Sequence, residues 1–190
     1  AEGLLPVQDG SVVPMDAPIA VKEAVLPFKR FRTPEGKVVD SLLGPEMRST
    51  GEVMGMDVNF PIAFAKAQAG AYGGLPSSGT VFISVADRDK RNIILPALRF
   101  AQLGFSIVAT EGTAEILQRN GIPTTVIGKV SAKLGDDTIR ASAIAADKPL
   151  FTNMAQVSAA VASIDTIRDG FDVCSLQEYA IKRREALARA

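Results

Sequence analysis

From Thr80 onward the chain alternates short apolar runs with stretches of helical spacing. Val81–Val85, Phe105–Ala109, Thr124–Ile127 and Pro149–Thr152 are the apolar runs, and each has the length of a strand. The intervening segments read as helices. Asp87 is a plausible cap for a helix that reaches Leu103-Gly104, with a kink expected at Pro96. Thr113–Asn120 is closed by Gly121, Ile139–Ala146 follows, and Val157–Arg168 ends at Gly170. Ser175 with Glu178 forms a capping box for a last helix, whose basic end suits its dipole. Repeated β–α units with short loops predict an α/β fold with a doubly wound parallel sheet.

The first part of the chain follows a different pattern. Residues 1–19 carry glycine and proline with little periodicity and read as a surface connection. Lys22–Arg32 is extended and apolar, Phe28–Arg32 alternates like a half-exposed strand, and Thr33-Pro34-Glu35-Gly36 is a turn. With Leu42–Val53 this predicts a small antiparallel pair. Two strands alone are marginal in water, so the pair is expected to belong to a larger sheet. Phe60–Tyr72 has helical spacing, with Phe60, Phe64 and Tyr72 read as helix core. Gly70–Gly79 (GAYGGLPSSG) is the clearest linker. The expected division is therefore 1–72, a linker at 73–79, and 80–190.

Composition narrows the function classes. Twenty-one basic and twenty-one acidic residues balance, which removes the electrostatic footprint of a nucleic-acid binder. Any anionic ligand must then be held by a local cluster. The apolar runs are far shorter than a membrane span, and no secretory signal pattern opens the chain. A single cysteine, Cys174, precludes an internal disulfide and suits a reducing cytoplasm. Without histidine there is no imidazole base or metal ligand, and Cys174 lacks the partner a nucleophilic thiol needs. No catalytic residue and no metal ligand is assigned. The chain opens at Ala1 without Met and reads as the C-terminal piece of something longer.

In parallel sheets, ligands bind beyond the carboxyl ends of the strands. Asp89 and Lys90, Thr110 to Thr113, and Lys129 fall there. Thr110-Glu111-Gly112-Thr113 is a strand-to-helix turn: the glycine allows close approach, two hydroxyls can donate, and the next helix offers free N–H groups. With two lysines this suits a phosphate monoester. An equally simple reading makes Thr113 an N-cap and leaves the lysines solvated.

Leu42–Gly55 (LLGPEMRSTGEVMG) has no simple periodicity, and its glycines suggest a specialised backbone. Together with Ala20–Phe28, Phe82-Ile83-Ser84-Val85, Asp89-Lys90, Ala109-Thr110-Glu111-Gly112-Thr113 and Ser175–Tyr179, it resembles the carbamoyl-phosphate synthase large chain. The similarity is to the end of the second ATP-grasp module and to the methylglyoxal-synthase-like allosteric domain. That resemblance implies a regulatory module binding a nucleotide monophosphate such as UMP or IMP through Lys90, Thr110, Thr113 and Lys129. It also implies an ornithine site at Glu23, Leu26, Leu43 and Thr152, although Leu150 stands where the family often has tyrosine. The implied parent makes carbamoyl phosphate from glutamine, bicarbonate and ATP, with Mg²⁺ or Mn²⁺. Its partners would be the upstream ATP-grasp modules and a glutaminase small subunit, and the segment itself would need no cofactor. Free-standing relatives of the fold, methylglyoxal synthase and IMP cyclohydrolase, are the alternatives.

The resemblance also exposes a departure. Only Ser131–Thr138 separates Val130 from Ile139-Arg140, where the family runs through a loop, a helix and a strand. A parallel sheet lacking its middle strand would leave unpaired backbone groups in the core. The expectation is therefore of omitted sequence after Val130, with a shortened domain as the alternative. Glu46, Arg48 and Glu52 alternate and could face an ATP-grasp site or form structural salt bridges.

Overall fold

The computed structural model describes residues 17–25, 51–128, 136–146, 148–168 and 170–189. Leu26, Leu43, Glu46, Arg48, Lys129 and most of the Leu42–Gly55 run lie outside these residues. Strand β1 (Ile19–Val25) pairs antiparallel with β2 (Gly51–Asp57), in the register Ile19↔Asp57 through Val25↔Gly51. The antiparallel pair is thus present and begins three residues before Lys22. Across it, Lys22 Nζ lies 2.7 Å from Glu52, which gives Glu52 the salt-bridge role at the solvent face.

Helix α1 (Phe60–Tyr72) follows β2 directly. Asn59 caps it by accepting from the Ile62 N–H, and Pro61 sits in the first turn, where a missing donor is harmless. The helix stops at Gly73, whose left-handed φ of 82° lets its N–H reach the Ala69 carbonyl. Ala63, Phe64, Ala65 and Ala67 are buried. Small residues on this face let backbones approach. At Gly55 the approach is extreme: a Cβ there would stand 2.1 Å from the Ala63 carbonyl oxygen and 2.5 Å from the Ala67 nitrogen.

Strands β3 (Thr80–Ile83), β4 (Ser106–Thr110) and β5 (Thr125–Ile127) form a parallel sheet in the order β3-β4-β5. Helices α2 (Ile94–Gln102), α3 (Glu111–Arg119), α4 (Asp136–Ala145), α5 (Met154–Thr166) and α6 (Leu176–Arg189) complete the described elements. The sheet core joins Ile83, Ile107 and Ala109 to Ile93, Ala97 and Phe100, and to Ala114, Leu117, Val161 and Ile164. Phe100 meets Phe105 edge-on at 5.5 Å. Arg99 on α2 is ion-paired with Asp165 on α5. The α/β architecture with a parallel sheet is as the pattern predicts.

Several boundaries differ from the pattern. The single helix expected from Asp87 to Leu103 is two pieces: a 3₁₀ turn at Asp87–Asp89 and then α2. Asp87 does not cap α2, because its carboxylate is bound to Lys90, 2.7 Å away. Pro96 causes no kink, since it falls in the first turn of α2. Helix α3 starts at Glu111, two residues before Thr113. Helix α5 starts at Met154, capped by Asn153, whose side chain accepts from the Gln156 N–H at 2.9 Å. Pro149–Thr152 is not a strand. Proline lacks a ladder donor, and Phe151 instead packs on Phe64 with centroids 6.5 Å apart. The capping box of α6 forms as read: Ser175 N–H donates to Glu178 at 2.7 Å, and Glu178 N–H to the Ser175 hydroxyl at 3.2 Å.

The two parts of the chain meet through α1 and α5. Ser163, fully buried, donates to the Pro61 carbonyl at 2.7 Å. Phe64, Ala159 and Ala160 form a second apolar cluster, with Val21, Leu75 and Phe151 against it. Gly55→Ala is expected to destabilise the protein by about 1–3 kcal/mol, since the methyl must displace helix backbone. Gly51→Ala, where a Cβ meets no atom within 4 Å, serves as the control. Equal urea midpoints for the two variants would contradict the close packing of α1 on β2.

Candidate functional site

An open cavity of about 650 Å³ lies at the carboxyl ends of β3 and β4, lined by Val85, Asp87, Lys90, Thr110, Glu111 and Gly112 among others. Its position follows from the topology. β3 ends at Ile83 and delivers the Asp87–Asp89 turn, while β4 ends at Thr110 and passes directly into α3. Thr110 has extended backbone (φ −65°, ψ 151°) at the helix N-cap, and its side chain makes no capping bond. Its hydroxyl lies 3.4 Å from the Ser84 hydroxyl and 3.3 Å from that of Thr113.

Thr113 is not the cap. It lies in the first turn of α3, only 1% exposed, and its hydroxyl accepts from the Val85 N–H at 3.4 Å. This braces the end of β3 against α3. Lys90 reaches across from the 3₁₀ turn: its Nζ lies 3.1 Å from where a Cβ on Gly112 would stand. The ammonium thus sits over the first turn of α3, beside free N–H groups. The cavity therefore brings together Lys90, Thr110 and Thr113 as the sequence suggests, and Lys129 lies outside the described residues.

Acids are more prominent than the sequence reading allowed. Asp87, Glu111 and Glu115 all line the cavity. Glu115 is engaged by Arg119 at 2.8 Å. The hydrogen bond from Lys90, and its charge, hold the Asp87 carboxyl below the usual carboxylate range. The i,i+3 spacing of Asp87 and Lys90 was a legible signal for this pair. Ser84 was legible only as part of a strand end.

The second candidate group is divided. Glu23 is half-buried on β1, and its carboxylate accepts from Gln68 Nε2 at 2.9 Å; Gln68 is 4% exposed on α1. It is bonded to no lysine or arginine among the described residues. Burial raises its pKa above the ordinary 4.5, with the Gln68 bond opposing. Tyr72 donates to the Ala24 carbonyl at 2.7 Å, and its own pKa is raised by burial and then by the charge of Glu23. Thr152 is exposed in the coil before α5, next to Phe151. Leu26 and Leu43 lie outside the described residues.

Comparison with known proteins agrees with the α/β fold. A family model described as MGS-like domain matches residues 92–174. The chain is 60% identical over 214 residues to the carbamoyl phosphate synthase large chain of Clavibacter sepedonicus, covering 96% of this chain and 20% of that one. The large chain of Kineococcus radiotolerans is 50% identical over 224 residues, covering 98% and 20%. That of Kocuria rhizophila is 48% identical over 221 residues, covering 100% and 20%. The chain thus spans about a fifth of the length of the curated relatives it matches. In the last alignment, 221 positions against the 190 residues here leave about thirty positions without a residue in this chain. β5 is an edge among the described strands, and Val126 is 47% accessible.

Gly112→Ala has an ordinary backbone conformation to occupy and is expected to keep or raise stability, by up to about 1 kcal/mol for a helical position. Its methyl must push the Lys90 ammonium aside, so affinity for inorganic phosphate should fall. Retained affinity, measured by calorimetric titration, would place Lys90 away from the anion. Glu23→Gln keeps the acceptor for Gln68 and removes the buried charge. A carboxyl whose pKa is raised by folding binds more protons when folded, so stability declines as pH rises from 4.5 through the raised value. The substitution is therefore expected to raise the melting temperature at pH 7 and to have little effect at pH 4. A lower melting temperature at pH 7 would mean that Glu23 answers a positive charge.

Proposed function

Because the chain is a homologue of one segment of the carbamoyl phosphate synthase large chain and carries an MGS-like domain, we propose that it is the regulatory region of a glutamine-dependent enzyme. In this reading residues 80–190 bind a nucleotide monophosphate such as UMP or IMP, and residues 1–72 close an ATP-grasp module. The observation that carries it is the placement of Lys90 over Gly112. The Lys90 ammonium, Thr110 and the first turn of α3 all line the cavity at the strand ends. A phosphoryl oxygen there would gain charge-assisted hydrogen bonds from a side chain and from the backbone. Lys129, two residues beyond β5 in the sequence, would supply the second positive charge.

The chemistry of carbamoyl phosphate formation, with its ATP and divalent metal, belongs in this reading to other modules of the parent chain and to a glutaminase subunit. The segment's own part is to convert ligand binding into a preferred placement of α1 and the β1–β2 pair. The path available is short. Helix α2 packs on α5, α5 packs on α1, and α1 carries Gly55 of β2 on its other side. An effector changes activity only by binding one such placement better than another. Glu23, with a half-buried carboxylate and no described basic partner, would receive the ammonium group of ornithine in the same reading, with Leu26, Leu43 and Thr152 around it.

Lys90→Ala and Lys129→Ala in the full-length enzyme are each expected to weaken UMP or IMP binding by about 1.5–3 kcal/mol, roughly ten- to hundred-fold. Unchanged affinities by calorimetric titration would remove that lysine from the site. The segment alone is expected to hydrolyse no ATP and form no methylglyoxal. Turnover above a heat-killed control would overturn the regulatory reading.

A further inference from the structure

We propose that Asp87 is a built-in competitor for the anion: its carboxylate holds the Lys90 ammonium in the unliganded pocket, and a phosphoryl group binds by taking Lys90 from it. The inference rests on the phosphate reading of this pocket. Its basis is the asymmetry of the pair. Lys90 Nζ and Asp87 Oδ1 are 2.7 Å apart, but the lysine side chain is only 25% exposed and the aspartate 93%. The cation is fixed against the pocket wall over Gly112, while the anion lies on the solvent side. Asp87 therefore occupies the approach that an incoming anion would use, and its exposed side chain is free to swing toward solvent.

The charges around the cavity make the competition matter. Of the described ionisable side chains that line it, Lys90 is the single base, against Asp87, Glu111 and Glu115. Arg119 answers Glu115 from one turn along α3. A phosphoryl dianion that uses Lys90 draws on an ammonium already committed to Asp87, and it meets that carboxylate as a like charge. Exposed ion pairs are weak, so the contact tunes affinity and does not close the site. It also gives selectivity. A ligand with one negative charge competes with the carboxylate less well than a phosphate monoester with two charges and additional backbone bonds. The lowered pKa of Asp87 is consistent with a carboxylate that remains charged throughout the neutral range.

The test titrates UMP and inorganic phosphate into the full chain as wild type, Asp87→Asn, Lys90→Ala and the double variant. Asp87→Asn is expected to tighten binding of both ligands by about two- to five-fold, the range an exposed ion pair supplies. The gain should vanish in the Lys90→Ala background. Unchanged or weaker binding by Asp87→Asn would overturn the proposal, making Asp87 a positioning residue for Lys90. A gain of equal size without Lys90 would overturn it too, leaving simple repulsion of the ligand. A ligand-free readout separates this inference from the phosphate reading. The ¹⁵N resonance of the Lys90 ammonium should shift on Asp87→Asn, and a resonance that does not move overturns the competitor alone. Absence of binding of either ligand to both wild type and Asp87→Asn overturns the phosphate reading itself.

Discussion

Backbone-to-backbone contact between α1 and β2 at Gly55 is the constraint on which the rest of the arrangement depends. Helices ordinarily stand off a sheet by the depth of their side chains, about 10 Å between layers. Here the strand offers no side chain at the crossing, and the helix offers Ala63 and Ala67. The seam this creates holds α1 at one height over the strands. That height presents Phe64 to Phe151 and brings the Pro61 carbonyl within reach of Ser163. Ser163 is buried completely, so an unmade bond would leave a desolvated hydroxyl, at a cost of about 1–3 kcal/mol. A shift of α1 by even an ångström would therefore be felt at both faces.

The two ends of the described structure are built differently. Around α1 the contacts are largely apolar, with the Glu23–Gln68 hydrogen bond and the Lys66–Asp57 ion pair, 2.9 Å long, among them. Around the cavity at the ends of β3 and β4, the groups are ionic and accessible, and Thr113 supplies the one buried hydroxyl that ties the loops down. Rigid scaffold on one side and adjustable charge on the other is the division expected where a ligand is read by loops positioned by a sheet. α2 and α5 stand between them, joined by the Arg99–Asp165 pair and a shared apolar core.

Much of this was legible in the sequence because the signals are local. Alternating β and α runs, the Thr110–Thr113 turn and the Ser175–Glu178 box each occupy a few consecutive residues, and apart from the Pro149–Thr152 run and the Asp87–Leu103 helix they formed. What was missed depends on partners distant in the chain or on competition for a group. Asp87 reads as a cap, but Lys90 holds its carboxylate, so α2 begins seven residues later. Phe151 reads as the third residue of a strand, but Phe64 provides a better place for its ring than a ladder beside Pro149. Once that strand is withdrawn, Asn153 becomes an evident cap. The partner of Glu23 is a glutamine forty-five residues away, and the purpose of Gly55 is visible only when the helix crossing it is known.

The Ser163–Pro61 bond joins residues 102 positions apart. On a ribosome adding about 5–20 residues per second, roughly 5–20 s separate the synthesis of α1 from that of the helix that covers it. Throughout that interval the Phe64 ring and the Pro61 carbonyl lack the partners that α5 brings. The strands β1 and β2 can zip together early, but the helix they carry has no second surface to rest on until the parallel sheet has been made and α5 has followed it. Folding of the first part is thus timed by the last, and a ribosome that stalls before residue 154 releases a fragment to which those partners never come.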